Sequence, residues 1–263
     1  MPLYPRMCAA TRRFPPEDQR IGVISIALVI TVATWNLLHR VHAENWDADV
    51  PRRWPDEDAR IAAITDRIAA RTETVIALQE VSGDQLASLR DALPGRAVHS
   101  FRYPRVPAPR RGRDLLRDRT EHLVLLVDGA GTTVTAESFA DDKGKGALVV
   151  GMGDLLVIAT HVSGDRRRTG QLARLAELSG PRTVLLGDFN TVRGTIATGL
   201  GDGFTVAGFR ADSPPTRPGT GRGFIDHVVT RGVTAGTATV DDSGGLSDHN
   251  IVHATVSRPG GTA

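Results

Sequence analysis

Residues 183–190 read Thr-Val-Leu-Leu-Gly-Asp-Phe-Asn, an apolar run that ends in the polar residues Asp188 and Asn190. A short apolar run of this kind is typical of a buried β-strand. Asp and Asn are common turn formers at strand ends, but desolvating a carboxylate there costs free energy unless a cation compensates. The segment therefore indicates either a simple turn or part of a cation-holding site.

Other apolar runs along the chain carry polar side chains at or beside their ends. These runs are Val-Ile-Thr-Val-Ala-Thr-Trp before Asn36, Val-Ile-Ala-Leu-Gln before Glu80, Leu-Leu-Val-Ile-Ala-Thr before His161, Phe-Ile-Asp-His-Val-Val around Asp226, and Ile-Val-His-Ala-Thr-Val soon after Asp248 and His249. One polar strand end is readily explained as a turn, whereas so many are not. If the strand ends meet at one edge of a sheet, their side chains form a single pocket of carboxylates and imidazoles.

Hydrophobic periodicity predicts many strands and only a few helices. Helices are predicted over 56–71, from the end of the strand at 81 as far as 93, and over 169–179. Strands are predicted within 21–32 and over 74–81, 97–102, 122–128, 132–140, 146–151, 155–162, 183–186, 224–233 and 251–256, with a Pro/Arg-rich loop over 103–120. Long strands with few helices favour two packed sheets flanked by helices over a regular βαβ series.

The length of 263 residues favours one domain over two. We predict a flexible N-terminal extension over 1–20 and a single domain over 21–258. The arginines of the extension and the apolar run 21–32 together resemble a secretory signal, with Ala43 as a possible cleavage site. Cleavage there would remove Asn36, and the run is too short to span a bilayer, so we interpret it as the first buried strand.

The single cysteine, Cys8, excludes an intramolecular disulfide and a thiolate zinc site. Any metal would take oxygen and imidazole ligands, which favours Mg²⁺ or Mn²⁺. The absence of disulfides is compatible with a reducing cytoplasm, where we predict that the protein resides. The formal charge of +2 is too small to indicate a polyanionic partner by itself.

Six segments, taken in order, resemble the endonuclease/exonuclease/phosphatase superfamily, which includes deoxyribonuclease I, AP endonucleases, sphingomyelinases and inositol polyphosphate phosphatases. They are Thr-Trp-Asn (34–36), Leu-Gln-Glu-Val (78–81), Ala-Thr-His (159–161), Gly-Asp-Phe-Asn (187–190), Ile-Asp-His-Val (225–228) and Ser-Asp-His (247–249). The resemblance covers residues 30 to 257. It implies an α/β fold of the α+β kind, a four-layer α/β/β/α sandwich of two packed, mostly antiparallel sheets flanked by helices.

The resemblance also implies a metal centre and a water-handling pair. Glu80 would be the principal metal ligand, with Asn36 and Asp248 close by. Asp188 would orient or deprotonate the attacking water, and Asn190 would hold a phosphate oxygen. Hydrolysis of a phosphate ester needs this combination, because charge on the non-bridging oxygens must be neutralised and a water placed in line.

Two histidines with acidic partners complete the implied site. His249, oriented by Asp226, would contact the phosphate and serve as general acid/base, since a carboxylate partner raises a histidine pKa and fixes its tautomer. His161 would lie across the scissile phosphate and donate a hydrogen bond or proton. Glu121, just before a strand, stands where deoxyribonuclease-like members carry the acidic partner of that second histidine.

The remaining histidines lack a motif partner. His42, His122, His227 and His253 are interpreted as surface or packing residues, and His39 only as a neighbour of Asn36. Trp46 and Trp54 could contact substrate, although covering the sheet edge is the favoured interpretation for both.

Two arginine clusters bear on the substrate. Residues 102–119 hold seven arginines against two aspartates, and Arg166, Arg167 and Arg168 follow the His161 strand at the rim of the expected pocket. Solvated loop charge explains the first cluster equally well. The second is predicted to contact phosphate.

These features favour a phosphodiesterase acting on DNA or RNA, with no membrane span and no obligate protein partner. The alternative is a phosphatase or phosphodiesterase of a small molecule, nucleotide or lipid headgroup. A third interpretation, a binding module on an inactive fold, is disfavoured because the chain retains every metal and proton-transfer residue of the pattern.

Overall fold

The computed structural model describes residues 29–46, 48–110, 115–219 and 223–257. The predicted extension over 1–20 and the beginning of the apolar run at 21–28 lie outside these ranges. The end of that run belongs to the first strand, which spans Val29–Asn36. The single domain predicted over 21–258 stays a prediction.

Thirteen strands and six helices are formed within the described ranges. In chain order they are β1 (Val29–Asn36), α1 (Arg40–Asn45), α2 (Val50–Arg53), α3 (Glu57–Ala69), β2 (Val75–Ser82), α4 (Gly83–Ala92), β3 (Ala97–Arg102), β4 (Glu121–Val127), β5 (Thr132–Phe139), β6 (Asp142–Met152), β7 (Leu155–His161), α5 (Arg168–Leu178), β8 (Thr183–Asp188), α6 (Arg193–Leu200), β9 (Phe204–Val206), β10 (Asp226–Arg231), β11 (Thr234–Ala235), β12 (Thr239–Asp241) and β13 (Ile251–Ser257).

The strands form two sheets. The first has the order β11-β13-β1-β2-β4-β3, with β12 also paired to β13, and the second has the order β5-β6-β7-β8-β10-β9. The pairs β1–β2 and β7–β8 are parallel, and the other pairs of strands are antiparallel. A parallel pair brings two carboxyl ends to the same edge, and each sheet has one such pair.

Apolar side chains fill the space between the sheets. Val32 and Leu125 of the first sheet and Val157 and Leu186 of the second belong to this central cluster. A second cluster lies between the first sheet and helices α3 and α4, and a third lies between the second sheet and helices α5 and α6. Because both faces of each sheet are covered, the layers are α/β/β/α, which confirms the predicted sandwich.

Helices α1, α2 and α6 were not predicted. Helices α1 and α2 have six and four residues, too few to show a helical period in the sequence. Helix α6 contains Gly194 and Gly199, which lower intrinsic helix propensity. A Cβ at Gly199 would lie 2.4 Å from Cδ1 of Leu172, so the close packing of α6 on α5 requires glycine there. Tertiary contact overrides the local preference.

None of the helices in the described part of the chain is both long and apolar enough to cross a membrane.

A buried guanidinium ties the end of β1 to the loop before β13. Arg60 of α3 donates to the carbonyl oxygens of Leu37 at 3.0 Å, Leu38 at 3.1 Å and Leu246 at 2.9 Å. Glu57 accepts from the same guanidinium at 2.6 and 2.9 Å, and both side chains are buried. One of the joined segments directly follows Asn36, and the other directly precedes Asp248 and His249. The network therefore fixes the edge of the sandwich that carries these polar side chains.

Replacing Arg60 by Met should lower the free energy of unfolding by about 3–5 kcal/mol, because it leaves three buried carbonyl oxygens without this donor and the buried carboxylate of Glu57 with only Arg40 as a cationic partner. Urea unfolding followed by circular dichroism measures the change. Arg52→Met is the matched control, since the Arg52 side chain is 64% exposed and its loss should change stability by less than about 0.5 kcal/mol. Equal stabilities of the two variants would contradict the structural role of Arg60.

Candidate active site

The two sheets contribute carboxylates that meet across one amide. The Nδ2 atom of Asn36, at the end of β1, donates to Oε1 of Glu80 at 3.3 Å and to Oδ2 of Asp188 at 3.1 Å. Asn36 and Glu80 belong to the first sheet, and Asp188 ends β8 of the second. All three side chains are buried. The strand ends of the two sheets therefore form one polar cluster, as the sequence predicted.

The backbone at Glu80 is in the left-handed region, with a φ of 55°. The pairing of β2 with β4 shifts register between Leu78 and Val81, which is a β-bulge. A bulge re-aims the side chain that it contains, and here it turns the carboxylate of Glu80 toward Asn36. The other oxygen, Oε2, accepts from the backbone N–H of His39 at 3.1 Å. Such strained conformations cluster at functional sites.

Asn190 has the same unusual backbone, with a φ of 50°. Its backbone N–H donates to Oδ1 of Asp188 at 2.8 Å, so the Gly-Asp-Phe-Asn segment closes on itself. Its Nδ2 donates to the carbonyl oxygen of Val162 at 3.0 Å and lies 3.4 Å from Nε2 of His161. The loop thus holds the Asn190 amide beside the carboxylate and the imidazole.

Asp226 and His249 form a tight buried pair. Nδ1 of His249 lies 3.0 and 2.9 Å from the two carboxylate oxygens of Asp226. Asp226 stands opposite Asp188 in the β8–β10 register, and Nε2 of His249 lies 3.9 Å from Oδ2 of Asp188. Burial lowers the pKa of His249, but the charge and hydrogen bond of Asp226 outweigh it and raise the pKa to about 9. The imidazole can therefore hold a proton at neutral pH and present it from Nε2.

His161 lies on the other side of Asp188. Its Nε2 is 3.3 Å from Oδ2 of Asp188, 3.9 Å from Oε1 of Glu80, and in contact with Nζ of Lys145. The parallel register of β7 and β8 sets His161 directly beside Asp188. His161 and His249 therefore flank the same carboxylate.

The expected pairing of Glu121 with His161 is not formed. Oε2 of Glu121 lies 3.1 Å from Nε2 of His42, a histidine that the sequence indicated to be a surface or packing residue, while Nδ1 of His161 is buried without a hydrogen-bond partner. Helix α1 brings His42 over the start of β4, where Glu121 begins the strand. Sequence reasoning missed this pair because a six-residue helix gave no signal.

Lys145 and Arg217 are two cations at the site that the sequence did not single out. Lys145 precedes Gly146, which pairs with His161 in the β6–β7 register, so the strand pairing places it at the same edge. Arg217 lies in a loop and donates to Oδ2 of Asp248 at 2.7 and 3.0 Å. The only sequence signal for Lys145 was its place just before a predicted strand.

The three consecutive arginines differ in their surroundings. Arg166 is exposed. Arg167 is paired with Asp142 at 3.0 Å and with Asp165 at 2.8 Å. Arg168 donates to the backbone carbonyl oxygen of Asn190 at 3.1 Å. Arg168 thus supports the loop that carries Asn190, Arg167 is held by carboxylates, and Arg166 extends into solvent beside them.

Burial raises the pKa of Asp188, but the hydrogen bond of His161 and the charge of His249 outweigh it, so this pKa lies far below the usual range. Burial also raises the pKa of Glu80, but the charges of His42 and His161 outweigh burial and hold this pKa far below its usual range. Burial keeps the pKa of Asp226 raised despite His249. Glu80 and Asp188 are therefore ionised, and the cluster carries concentrated negative charge.

The donor set fits a hard divalent cation. Oδ2 of Asp248 accepts from Arg217, but its Oδ1 is buried and has no hydrogen-bond partner within the described part of the chain. An unpartnered buried carboxylate oxygen is costly unless an ion or water completes it. Glu80 and Asn36 add carboxylate and amide oxygens, which are the ligands that Mg²⁺ and Mn²⁺ prefer.

A different acidic group also lies close together. Single ligand atoms of Asp188, Asp226 and His249 lie within 4.8 Å of one another. Both oxygens of Asp226 are engaged by His249, however, so a cation there would have to displace a short hydrogen-bonded pair. Both oxygens of Glu80 are engaged as well, by the Asn36 amide and the His39 N–H, so the oxygen that most favours a cation is Oδ1 of Asp248, which lines the same cleft.

A narrow cleft opens onto the cluster. Its lining consists of Leu38, Trp46, Glu80, Lys145, His161, Asp188, Asn190, Arg217, Asp248 and His249. His227 lies outside it, with Nε2 3.0 Å from the carbonyl oxygen of Thr191, and is the packing residue that the sequence indicated. His122 and His253 do not line the cleft either.

Comparison with known proteins identifies the family of the chain. The model of the Endonuclease/Exonuclease/phosphatase family matches residues 33–249. A search of curated proteins found no match.

Solved structures share the fold at low identity. Humanized Danio rerio TDP2 has a TM-score of 0.63 at 16% identity, covering 87% of this chain and 98% of that one. A family protein from Bacteroides thetaiotaomicron has a TM-score of 0.64 at 14% identity, covering 90% and 97%. ANGEL2, described as a 2′,3′-cyclic phosphatase, has a TM-score of 0.63 at 14% identity, covering 88% and 96%.

The family match spans most of the chain, and the matches to solved structures cover nearly the full length of those structures. The interpretation as an inactive binding module is therefore set aside. The chain is a phosphoester hydrolase that belongs to the Endonuclease/Exonuclease/phosphatase family.

Proposed function

We propose that the enzyme is a Mg²⁺- or Mn²⁺-dependent phosphodiesterase that acts on nucleic acid. The observation that carries this proposal is the convergence of Asp188, His161 and His249 on one cleft, with Glu80 joined to them through Asn36. A cleft that combines ionised carboxylates with two imidazoles fits hydrolysis of an anionic ester, because it can place a water and neutralise developing charge.

Glu80 would hold the cation, with Asn36 and Asp248 beside it. When bound, a divalent cation supplies charge neutralisation on the phosphate oxygens and on the leaving oxygen. Arg217 keeps the Asp248 carboxylate in place by its two hydrogen bonds. The backbone N–H of His39 does the same for Glu80.

Asp188 is the group that would accept a hydrogen bond from the attacking water. It is ionised although buried, and its Oδ1 is fixed by the backbone N–H of Asn190. The amide of Asn190 would donate to a non-bridging phosphate oxygen. One loop would thus orient both the water and the phosphate, and such orientation is a major part of the barrier reduction in phosphoryl transfer.

His249 would donate from Nε2 to a phosphate oxygen, while Asp226 holds Nδ1 and fixes the tautomer. On the opposite side of Asp188, His161 and Lys145 would neutralise further charge on the phosphate. The protein thus surrounds the developing negative charge with donors that are already in position.

Support for nucleic acid as substrate comes from the structural relatives and from the exposed Arg166, which lies two residues before the Arg168 that binds the Asn190 carbonyl oxygen. Danio rerio TDP2 has been solved in complex with a single-strand DNA product, with a TM-score of 0.62 to this chain. At 16% identity that relative shows a shared fold, and the substrate is carried over only as a proposal.

A small phosphate ester is the second candidate, and one observation favours it. Several arginines expected to contact nucleic acid are held by carboxylates instead: Arg105 by Glu121 and Asp142 at 4.0 and 3.9 Å, and Arg117 by Asp58 at 3.3 Å. Paired arginines contribute less attraction to a polyanion.

Asp188→Asn should lower kcat/KM by on the order of 100-fold or more, because the variant retains the shape but loses the charge that orients the water. Activity should also disappear with EDTA and return with Mg²⁺ or Mn²⁺. The matched control is Asp202→Asn, an exposed residue of a loop, which should keep the activity of the wild type. An Asp188→Asn enzyme of undiminished activity would refute this placement of the site.

Activity on oligonucleotides should fall steeply with salt, because each phosphate contact releases counterions. Arg166→Ala should reduce the slope of log kcat/KM against log salt by about 1. Arg174→Ala is the control, since Glu137 and Glu177 already pair with that side chain. A flat salt dependence together with efficient hydrolysis of a small ester would favour the second candidate instead.

A further inference from the structure

A second cavity adjoins the catalytic cleft. Its volume is about 480 Å³, within the usual range of small-molecule sites. It shares Leu38, Trp46, Arg217 and Asp248 with the cleft, so a group bound in it would be continuous with a phosphate at the reaction centre. None of the catalytic roles described above uses this space.

Trp46 forms one wall and is unusually exposed for its size, at 58%. Its ring stacks on His42 with centroids 5.3 Å apart and an interplanar angle of 12°. His42 is held in turn by the buried carboxylate of Glu121 at 3.1 Å. The indole is therefore a pre-positioned aromatic platform, which loses little side-chain entropy when a flat ligand binds.

The neutral polar side chains of the lining offer little for hydrogen-bond recognition, because they are engaged with the protein. Oγ of Ser243 donates to the carbonyl oxygen of Ser247 at 3.0 Å, and Oγ of Ser247 donates to that of Asn36 at 2.6 Å. The amide of Asn250 binds the Ser243 N–H at 3.0 Å and the Pro215 carbonyl oxygen at 2.9 Å. Recognition in this cavity would therefore depend on stacking and shape.

The lining carries charges of both signs and therefore has no strong preference for an anion. Arg53 and Arg217 are balanced by three aspartates, Asp49, Asp242 and Asp248, so the cavity is not built for additional phosphates. Burial lowers the pKa of His42, but its hydrogen bond to Glu121 outweighs this and the net shift is upward. The imidazole of His42 lies behind the indole, where it binds Glu121 and does not line the cavity.

We propose that this cavity is a nucleobase subsite, in which the base of the nucleotide next to the scissile phosphate stacks on Trp46 without selection among the bases. The inference rests on the proposed function, since it assigns the substrate of the same reaction centre. Stacking of bases on aromatic side chains tolerates every base, because each has a π-face. The engaged hydrogen-bonding groups of the wall agree with that tolerance.

A binding experiment without metal separates this inference from catalysis. The probes are a labelled five-nucleotide thymidine strand and a strand of the same length made of abasic tetrahydrofuran units, titrated in EDTA by fluorescence anisotropy. Trp46→Ala should weaken binding of the thymidine strand by about 5- to 150-fold and leave binding of the abasic strand unchanged. Trp46→Phe, which keeps an aromatic ring, should restore part of the affinity.

A control variant and a competitor complete the experiment. Trp54→Phe should bind both strands as the wild type does, because Trp54 packs against the apolar clusters and does not line the cavity. Equal weakening of both strands by Trp46→Ala, or no weakening of either, would overturn the inference. So would competition by phosphocholine when thymidine 5′-monophosphate does not compete, since this would identify a cation site.

Hydrolysis with Mg²⁺ or Mn²⁺ then tests the proposed function separately. If the wild type cleaves both strands, Trp46→Ala should lower the ratio of its kcat/KM on the thymidine strand to that on the abasic strand. If the wild type cleaves neither strand, the proposed nuclease function fails, and the binding contrast in EDTA still decides whether Trp46 is a base platform.

Discussion

The amide of Asn36 spans the gap between two sheets and donates one hydrogen to Glu80 and the other to Asp188. These two carboxylates are buried and ionised, so without intervening positive or donor groups they would repel each other strongly. The amide and the imidazoles of His161 and His249 lie between or beside these carboxylates and reduce that repulsion. The catalytic arrangement and the stability of this edge thus depend on the same contacts.

Backbone strain also occurs at this edge of the sandwich. The two residues Glu80 and Asn190 have left-handed backbones, which cost free energy for residues other than glycine. Hydrogen bonds retain them: the Asn36 amide and the His39 N–H hold the Glu80 carboxylate, and Arg168 holds the Asn190 carbonyl oxygen. Because Arg60 binds the segments that follow Asn36 and precede Asp248, a helix remote from the phosphate site determines where two of its side chains lie.

The acidic partners of the histidines differ in part from those that the sequence predicted. His249 keeps the expected carboxylate, Asp226, whereas His161 lies against Asp188 and Lys145, and Glu121 serves His42 instead. Because His42 also stacks on Trp46, its pairing with Glu121 connects the buried start of β4 to the exposed indole. The region that departs from the expected pattern is thus also the region that forms the cavity beside the cleft.

The sequence by itself predicted most of the long strands, the layers, and the oxygen and imidazole side chains that stand at the ends of those strands, because each depends on local apolar runs and on the polar residues beside them. Only the tertiary structure decided that Glu121 pairs with His42, that Lys145 and Arg217 enter the site, and that Arg167 is held by Asp142. These contacts join residues far apart in the chain. They depend on strand register, on the short helix α1 and on loop geometry, none of which leaves a periodic signal in the sequence.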